Sequence, residues 1–225
     1  MINRSIAIDG PSGAGKSTLA RRVAAEMGCI YVDTGAIYRS VGLYTLRKGV
    51  CPTDAEAVSA LLPEISIEMK YNEQGGQEMY LNGECVSGKI RTPEVSKYAS
   101  DVSAHPQVRA FLLDMQRSMA EKYDVIMDGR DIGTVVLPKA GVKIFLTASP
   151  EVRAKRRYLE LLEKDPATQY EDVLSDMIQR DKNDSSRKTA PLKPAEDAVF
   201  LDTSGMTLEE SVENLISIVK EHLNQ

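Results

Sequence analysis

Histidine is nearly missing from this 225-residue chain: His105 and His222 are the only two. A multi-histidine metal site is therefore excluded, and a Ser-His-Asp triad would have to use one of two unpromising candidates. His105 precedes Pro106, and His222 lies in a polar stretch near the C-terminus. Cysteine is equally sparse. Cys29, Cys51 and Cys85 are odd in number, widely spaced and form no CxxC. They offer neither a zinc ribbon nor a thioredoxin-like dithiol, and read as three reduced thiols. Long apolar runs are lacking too, so neither a signal segment nor a membrane span is expected and a cytoplasmic protein without a membrane partner is the default. The net charge of −5 argues against a broad nucleic-acid-binding surface. It leaves room for a local cluster of arginine and lysine that binds an anionic substrate.

What is present is an ordinary globular composition, 42% hydrophobic and 27% charged, enough for one large domain or one domain with a small insert. Five short apolar runs read as buried parallel strands: Ile6-Ala7-Ile8, Cys29-Ile30-Tyr31-Val32, Val125-Ile126-Met127, Val142-Lys143-Ile144-Phe145-Leu146 and Val199-Phe200-Leu201. Most are continuous rather than alternating, as in strands covered on both faces. Several end in an acidic residue followed by a small one: Asp9-Gly10, Asp33-Thr34, Asp128-Gly129, Asp202-Thr203. Ligands of open α/β sheets bind beyond the carboxyl ends of the strands, so chemistry is expected there. Helices are predicted over 16–27, 35–48 and 152–163. Thr92-Pro93 and Ser149-Pro150 are N-terminal signals, and Thr207 with Glu210 forms a capping box. One region differs. Ile65, Ile67, Met69 and Tyr71 alternate with polar residues, Gly75-Gly76 and Asn82-Gly83 mark turns, and 63–91 reads as a small antiparallel insert of about three strands.

The sharpest motif is Gly10-Pro11-Ser12-Gly13-Ala14-Gly15-Lys16-Ser17, a full GxxxxGK[ST]. Its glycines allow a tight turn whose amides form a phosphate-binding concavity opening into a helix N-terminus. Lys16 is placed to reach the β- and γ-phosphates of ATP, and Ser17 to ligate Mg²⁺. A guanine-selecting Asn-Lys-x-Asp is lacking; Lys182-Asn183-Asp184 reverses its first two residues.

The remaining signal is arginine. Arg130 follows a strand in Asp128-Gly129-Arg130-Asp131, where a charged side chain has few structural reasons to sit. Arg39 lies one turn into a predicted helix. Arg180, Asp184 and Arg187 share a face if one helix runs unbroken through Arg187. Arg153 and Arg157 are spaced i, i+4 around Lys155 and Arg156, for which a solvated basic face is the plain reading. Joining an ATP γ-phosphoryl group to a second phosphate crowds negative charge. Guanidinium forks and Mg²⁺ offset that repulsion, and an ionised acceptor needs no histidine base.

Together with the glycine loop through Thr18, the segments Asp33 to Arg39, Gly88 to Thr92, Asp128 to Val136 and Ala190-Pro191-Leu192 resemble the bacterial cytidylate kinase family, in the same order as far as about residue 205. The resemblance implies a P-loop three-layer α/β fold over 1–225, with a five-stranded parallel sheet, the antiparallel β insert at 63–91 and a helical lid with acceptor-binding helices over 150–190. It implies transfer of phosphate from ATP to CMP or dCMP with Mg²⁺. A monomer is expected. Gly10, Pro11, Ser12, Gly13, Ala14, Gly15, Lys16, Ser17 and Thr18 would hold ATP, with Arg153 and Arg157 in the lid above its phosphates. Thr34, Arg39, Arg130 and Arg187 would hold the acceptor phosphate, and Arg180 and Asp184 the sugar hydroxyls. Ser100, Arg109 and Asp131 would read the base, in a pocket that also includes Tyr38, Asp128 and Gly129. Lys16, Arg130, Arg157 and Arg187 would be catalytic, and Asp128 would reach the Mg²⁺ on Ser17 directly or through water. Two departures stand out: Thr34 occupies a position where the family often has Ser, and Ser17 replaces a Gly of some relatives.

The base assignment has its own logic. Cytosine offers an N4 donor and an N3 acceptor, which suit Asp131 or Ser100 and Arg109; uracil reverses both groups and would leave buried polar atoms unpaired. Ser100 as a plain helix residue and Arg109 as a surface arginine are the bland alternatives. Competing functions are a P-loop kinase acting on UMP, dTMP or shikimate, and a P-loop switch or assembly ATPase that needs no acceptor.

Overall fold

The computed structural model describes residues 4–74, 76–163 and 165–223. Strand β1 (Ser5–Asp9) runs through the glycine loop into α1 (Lys16–Met27), and β2 (Ile30–Asp33) runs into α2 (Thr34–Arg47). Helix α3 (Ala55–Leu61) and a 3-10 turn (Leu62–Glu64) precede three short strands, β3 (Ile67–Tyr71), β4 (Gln77–Leu81) and β5 (Glu84–Cys85). Helices α4 (Pro93–Val102) and α5 (Pro106–Lys122) follow. The chain then passes through β6 (Val125–Gly129), a π-helical turn (Ile132–Val136), β7 (Val142–Thr147), α6 (Pro150–Leu162), α7 (Tyr170–Ser186), β8 (Val199–Asp202) and α8 (Leu208–Leu223). Two compact units result: residues up to Tyr31 together with those from Ala120 onward, and Val32–Met119.

The first unit is built on the five-stranded sheet, order β2-β6-β1-β7-β8. β1 pairs in parallel with β6 and β7, and β7 with β8. Ile6, Ile8, Ile126, Ile144 and Leu146 are buried against Leu19 and Val23 of α1 and Leu215 and Val219 of α8. β1 is covered on both faces, which explains its continuous apolar sequence. The register sets Asp9 beside Gly129 on one side and Phe145 on the other, so β1 and β6 end together while β7 runs on to Thr147. Several predicted ends move by a residue or two. Cys29 stands outside β2 because Gly28 (φ 67) caps α1 directly before it. The capping box of α8 forms: Thr207 Oγ1 accepts from the Glu210 amide at 3.2 Å, and Glu210 accepts from the Thr207 amide at 2.8 Å.

The second unit holds the antiparallel sheet, order β3-β4-β5, with Ile67 opposite Leu81 and Met69 opposite Met79. Asn82 (φ 49) and Gly83 (φ 83) are both left-handed, the pairing a two-residue hairpin turn requires. Of the other predicted turn, Gly75 lies outside the described residues. The alternation of β3 sends Ile67 inward, where it joins Leu81, Ile37, Val41, Val95 and Val102 in a second core. α2 and α4 meet closely at Gly42, where an added Cβ would fall 2.8 Å from the Ala99 amide nitrogen. No helix among the described residues is long and apolar enough to cross a membrane.

Candidate active site

The glycine loop leaves the end of β1 in a conformation that few residues could adopt. Gly10 (φ 152) is buried so tightly that a Cβ there would lie 1.9 Å from the Leu146 carbonyl oxygen; Gly13 and Gly15 also have positive φ. Pro11 and Ala14 are buried, Ser12 is half-buried, and Thr18 is exposed in the first turn of α1. Lys16 opens α1 and is buried, and its Nζ donates to the Pro11 carbonyl at 2.7 Å. Burial, helped by the charge of Arg130, pushes its ammonium well below the usual lysine range, against the pull of Asp128, Asp9 and Asp184.

Next to Lys16, Ser17 Oγ donates to Oδ2 of Asp128 at 2.8 Å, while Oδ1 of Asp128 accepts from the Tyr31 hydroxyl at 3.0 Å. Asp128 is buried at the end of β6. A hydroxyl and a carboxylate are hard oxygen donors suited to Mg²⁺, which keeps waters and substrate phosphates as its other ligands. The described residues hold no group of three or more His, Cys, Asp or Glu that could form an all-protein cage. The pair therefore fits an ion shared with a nucleotide.

Arg130, Arg180, Asp184 and Arg187 come together. Arg130 Nε donates to Oδ2 of Asp184 at 2.8 Å, and its Nη1 to the Gly129 carbonyl at 3.3 Å. Arg187 Nη1 lies 3.8 Å from Oδ1 of Asp184. Burial works against the charge of Asp184, yet Arg130, Arg180 and Arg187 outweigh it and hold the carboxyl below the ordinary aspartate value. Helix α7 ends at Ser186, not beyond Arg187, which is extended (ψ 142) and anchored by Nε on the Ala190 carbonyl. Asp131 is buried, and its carbonyl accepts from the amides of Val135 and Val136 in the π-helical turn.

The arginines of α6 separate into three environments. Arg153 is buried: Nε donates to the Ala148 carbonyl, Nη1 to the Ser12 carbonyl at 2.9 Å, and both Nη atoms bind Asp181 of α7. Arg156 Nη2 donates to the Thr203 carbonyl at 2.9 Å, with Nη1 3.9 Å from where a Gly15 Cβ would stand. Arg157 pairs with Glu160 at the surface, 2.9 Å away.

In the second unit, Asp33 caps α2 by accepting from the Ala36 amide at 2.8 Å. The same carboxylate binds Nη2 of Arg39 at 2.9 Å and Nη2 of Arg91 at 3.3 Å. Arg39 Nε is buried and makes no hydrogen bond among the described residues. Thr34 is buried in the first turn of α2. Arg109 is buried, donates to the Ser103 carbonyl at 3.0 Å, and lies 5.4 Å from the ring centre of Tyr38. Ser100 is half-buried on α4.

A family model described as cytidylate kinase matches residues 6–221. The chain belongs to the cytidylate kinase family. It is 49% identical over 216 residues to a cytidylate kinase of Fervidobacterium nodosum, covering 96% of each chain. Against the cytidylate kinase of Caldicellulosiruptor bescii it is 48% identical, covering 95% of this chain and 94% of that one. Against that of Clostridium botulinum it is 44% identical, covering 98% and 99%. Among solved structures, a gluconokinase from Sinorhizobium meliloti aligns over 99% of this chain and 95% of its own, with a TM-score of 0.50 and 13% identity, a likeness of fold alone.

For this member of the cytidylate kinase family, sequence reasoning overlooked four side chains that organise the site. Asp33 holds Arg39, Asp181 holds Arg153, Asp9 supports the turn after β6, and Arg156 leans toward Gly15. Arg156 carried a signal, its i, i+3 spacing from Arg153. The three aspartates carried none beyond strand ends and helix composition, because their partners are set by tertiary packing.

Proposed function

We propose that this protein transfers the γ-phosphoryl group of Mg-ATP to CMP and dCMP, giving CDP or dCDP and ADP. The observation that carries the reading is the cluster of Arg130, Arg180 and Arg187 on Asp184, in the same unit as the glycine loop with its buried Lys16. A P-loop ATPase without an acceptor needs no second anion site, whereas a phosphate acceptor calls for several guanidinium groups.

An acceptor phosphate oxygen attacks the γ-phosphorus while the bond to the β-bridging oxygen breaks, and the electron pair leaves with ADP. Positioning and charge neutralisation carry such a reaction, with little covalent work for the protein. Lys16 turns from the Pro11 carbonyl to the β- and γ-phosphates. Burial disfavours its ammonium in the fold, and a bound anion would favour the charged form. Ser17 and Asp128 hold Mg²⁺, which when bound offsets charge on the bridging and γ oxygens. Arg130 and Arg187 fork the acceptor phosphate, as do Thr34 and Arg39, whose Nε is a donor available for an anion. Arg180 and Asp184 take the sugar hydroxyls, and Arg109, Ser100 and Asp131 the cytosine edge. Arg153 is bound to the Ser12 carbonyl and Asp181, so it braces the loop, and Arg157 reaches ATP by leaving Glu160.

The test is an ADP-release assay across CMP, dCMP, UMP, dTMP and AMP, with and without Mg²⁺. CMP and dCMP are expected to be preferred, and activity to vanish with a chelator. Equal rates with CMP and UMP would refute the base assignment.

A further inference from the structure

One buried carboxylate of the first unit has no part in the reaction as assigned above. Asp9 ends β1 immediately before Gly10, and it is only 4% exposed. Its Oδ1 accepts from the amide of Ile132 at 2.7 Å and its Oδ2 from the amide of Gly133 at 2.7 Å. These are the first two residues of the π-helical turn that follows Arg130 and Asp131. π-helical turns are rare and concentrate at functional sites.

We propose that Asp9 is a positioning residue: its carboxylate grips the turn after β6 and so fixes Arg130 and Asp131 at the carboxyl end of the sheet. This rests on the reading that those two residues bind the acceptor nucleotide.

Three observations converge on it. The backbone at residue 9 cannot drift, because Gly10 abuts the Leu146 carbonyl and Asp9 is in register with Gly129 of β6. The turn also packs closely against the Lys143 stem, which would lie 3.2 Å from a Cβ on Gly133. A carboxylate alone presents two acceptor oxygens and no donor; an asparagine would set its NH₂ against one of the two amides. The fold keeps this charge at a cost. Burial drives the Asp9 carboxyl up to about 6, with the two amides pulling down, Asp131 pushing up and Lys16 pulling down. The nearby Lys143 ammonium is engaged by Asp197 at 2.9 Å.

The test compares wild type, D9N, G133A and R130A. In the free protein, amide exchange at Ile132 and Gly133 is expected to rise at least about tenfold in D9N, the effect of losing one charge-assisted hydrogen bond. The same two amide resonances of the wild type should titrate with a midpoint near the carboxyl's value of about 6, and should stay flat in D9N. KM for CMP should rise about tenfold in D9N and less in G133A, with the ATP dissociation constant held within about threefold. Wild-type exchange and wild-type KM in D9N would overturn the proposal. Should D9N fail to fold, the wild-type titration and G133A decide it: flat resonances with an unchanged KM overturn it. R130A with an unchanged CMP KM would sink the acceptor reading, and the positioning role with it, whereas loss of CMP affinity in R130A but not D9N would sink the positioning role alone.

Discussion

Arg130 donates its Nε to Oδ2 of Asp184 at 2.8 Å, joining the loop after β6 to helix α7 through a pair that is largely out of water. Because Arg180 and Arg187 lean on the same carboxylate, Asp184 neutralises a cluster that would otherwise repel itself. Replacing it by alanine leaves several guanidinium groups uncompensated. D184A should lose about 3–5 kcal/mol of stability, the usual cost of breaking a buried pair from one side. Denaturant unfolding measures this directly, and CMP affinity should fall in the same variant.

The depressed carboxyl of Asp184 also has a pH consequence. Its folded value lies below the unfolded one, so its contribution is present above the ordinary aspartate range and is lost as pH falls through the folded value. Unfolding free energy of D184N should therefore lack part of the wild type's acid-limb decline, below about pH 4.

Lys16 behaves oppositely. The fold disfavours its ammonium, so the charge does not stabilise the unliganded protein. K16A should cut kcat by about 10²–10³-fold, the scale of one lost transition-state donor. Its unfolding midpoint should nevertheless match or exceed that of the wild type. A large drop in stability would contradict the burial argument.

Asp9 supplies a stability signature separate from its effect on substrate. With its carboxyl raised to about 6, the folded state binds the proton more tightly than the unfolded chain does. This group's stabilising contribution is therefore full below the unfolded value near 3.8 and is lost as pH rises toward about 6, a change on the order of 3 kcal/mol. Urea unfolding of wild type and D9N, compared between about pH 4 and pH 6.5, should show that slope only in the wild type.

Arg153 and Asp181 join α6 to α7 and brace the Ser12 carbonyl. D181A strands a buried guanidinium and should cost about 1–3 kcal/mol. It should also raise the ATP dissociation constant more than the KM for CMP, since the glycine loop loses its brace. Isothermal titration with ATP and steady-state kinetics with CMP separate the two.

Much of this organisation was legible in the sequence where the cause is local. The glycine loop between β1 and α1, the Asn82-Gly83 turn and the Thr207–Glu210 capping box each depend on a few neighbouring residues, and each forms as read. The strand endings Asp9, Asp33 and Asp128 pointed to the carboxyl edge because their continuous apolar runs implied parallel strands covered on both faces. What stayed hidden is long-range. Asp9 meets residues 123 and 124 positions away, and Asp181 meets Arg153 28 positions away, with no spacing rule linking them. The π-helical turn at Ile132–Val136 could not be inferred from apolar residues that suit a strand equally well. Helix α7 stops at Ser186 without a glycine or proline to announce it; Arg187 instead turns back to the carbonyl of Ala190, itself at φ 47.

Phosphorus NMR of ATP and CMP turning over together tests the central claim most directly. The account predicts matched appearance of ADP and CDP, little inorganic phosphate, and no ATP consumption until CMP is added. Steady release of inorganic phosphate at the same rate with or without CMP would contradict it.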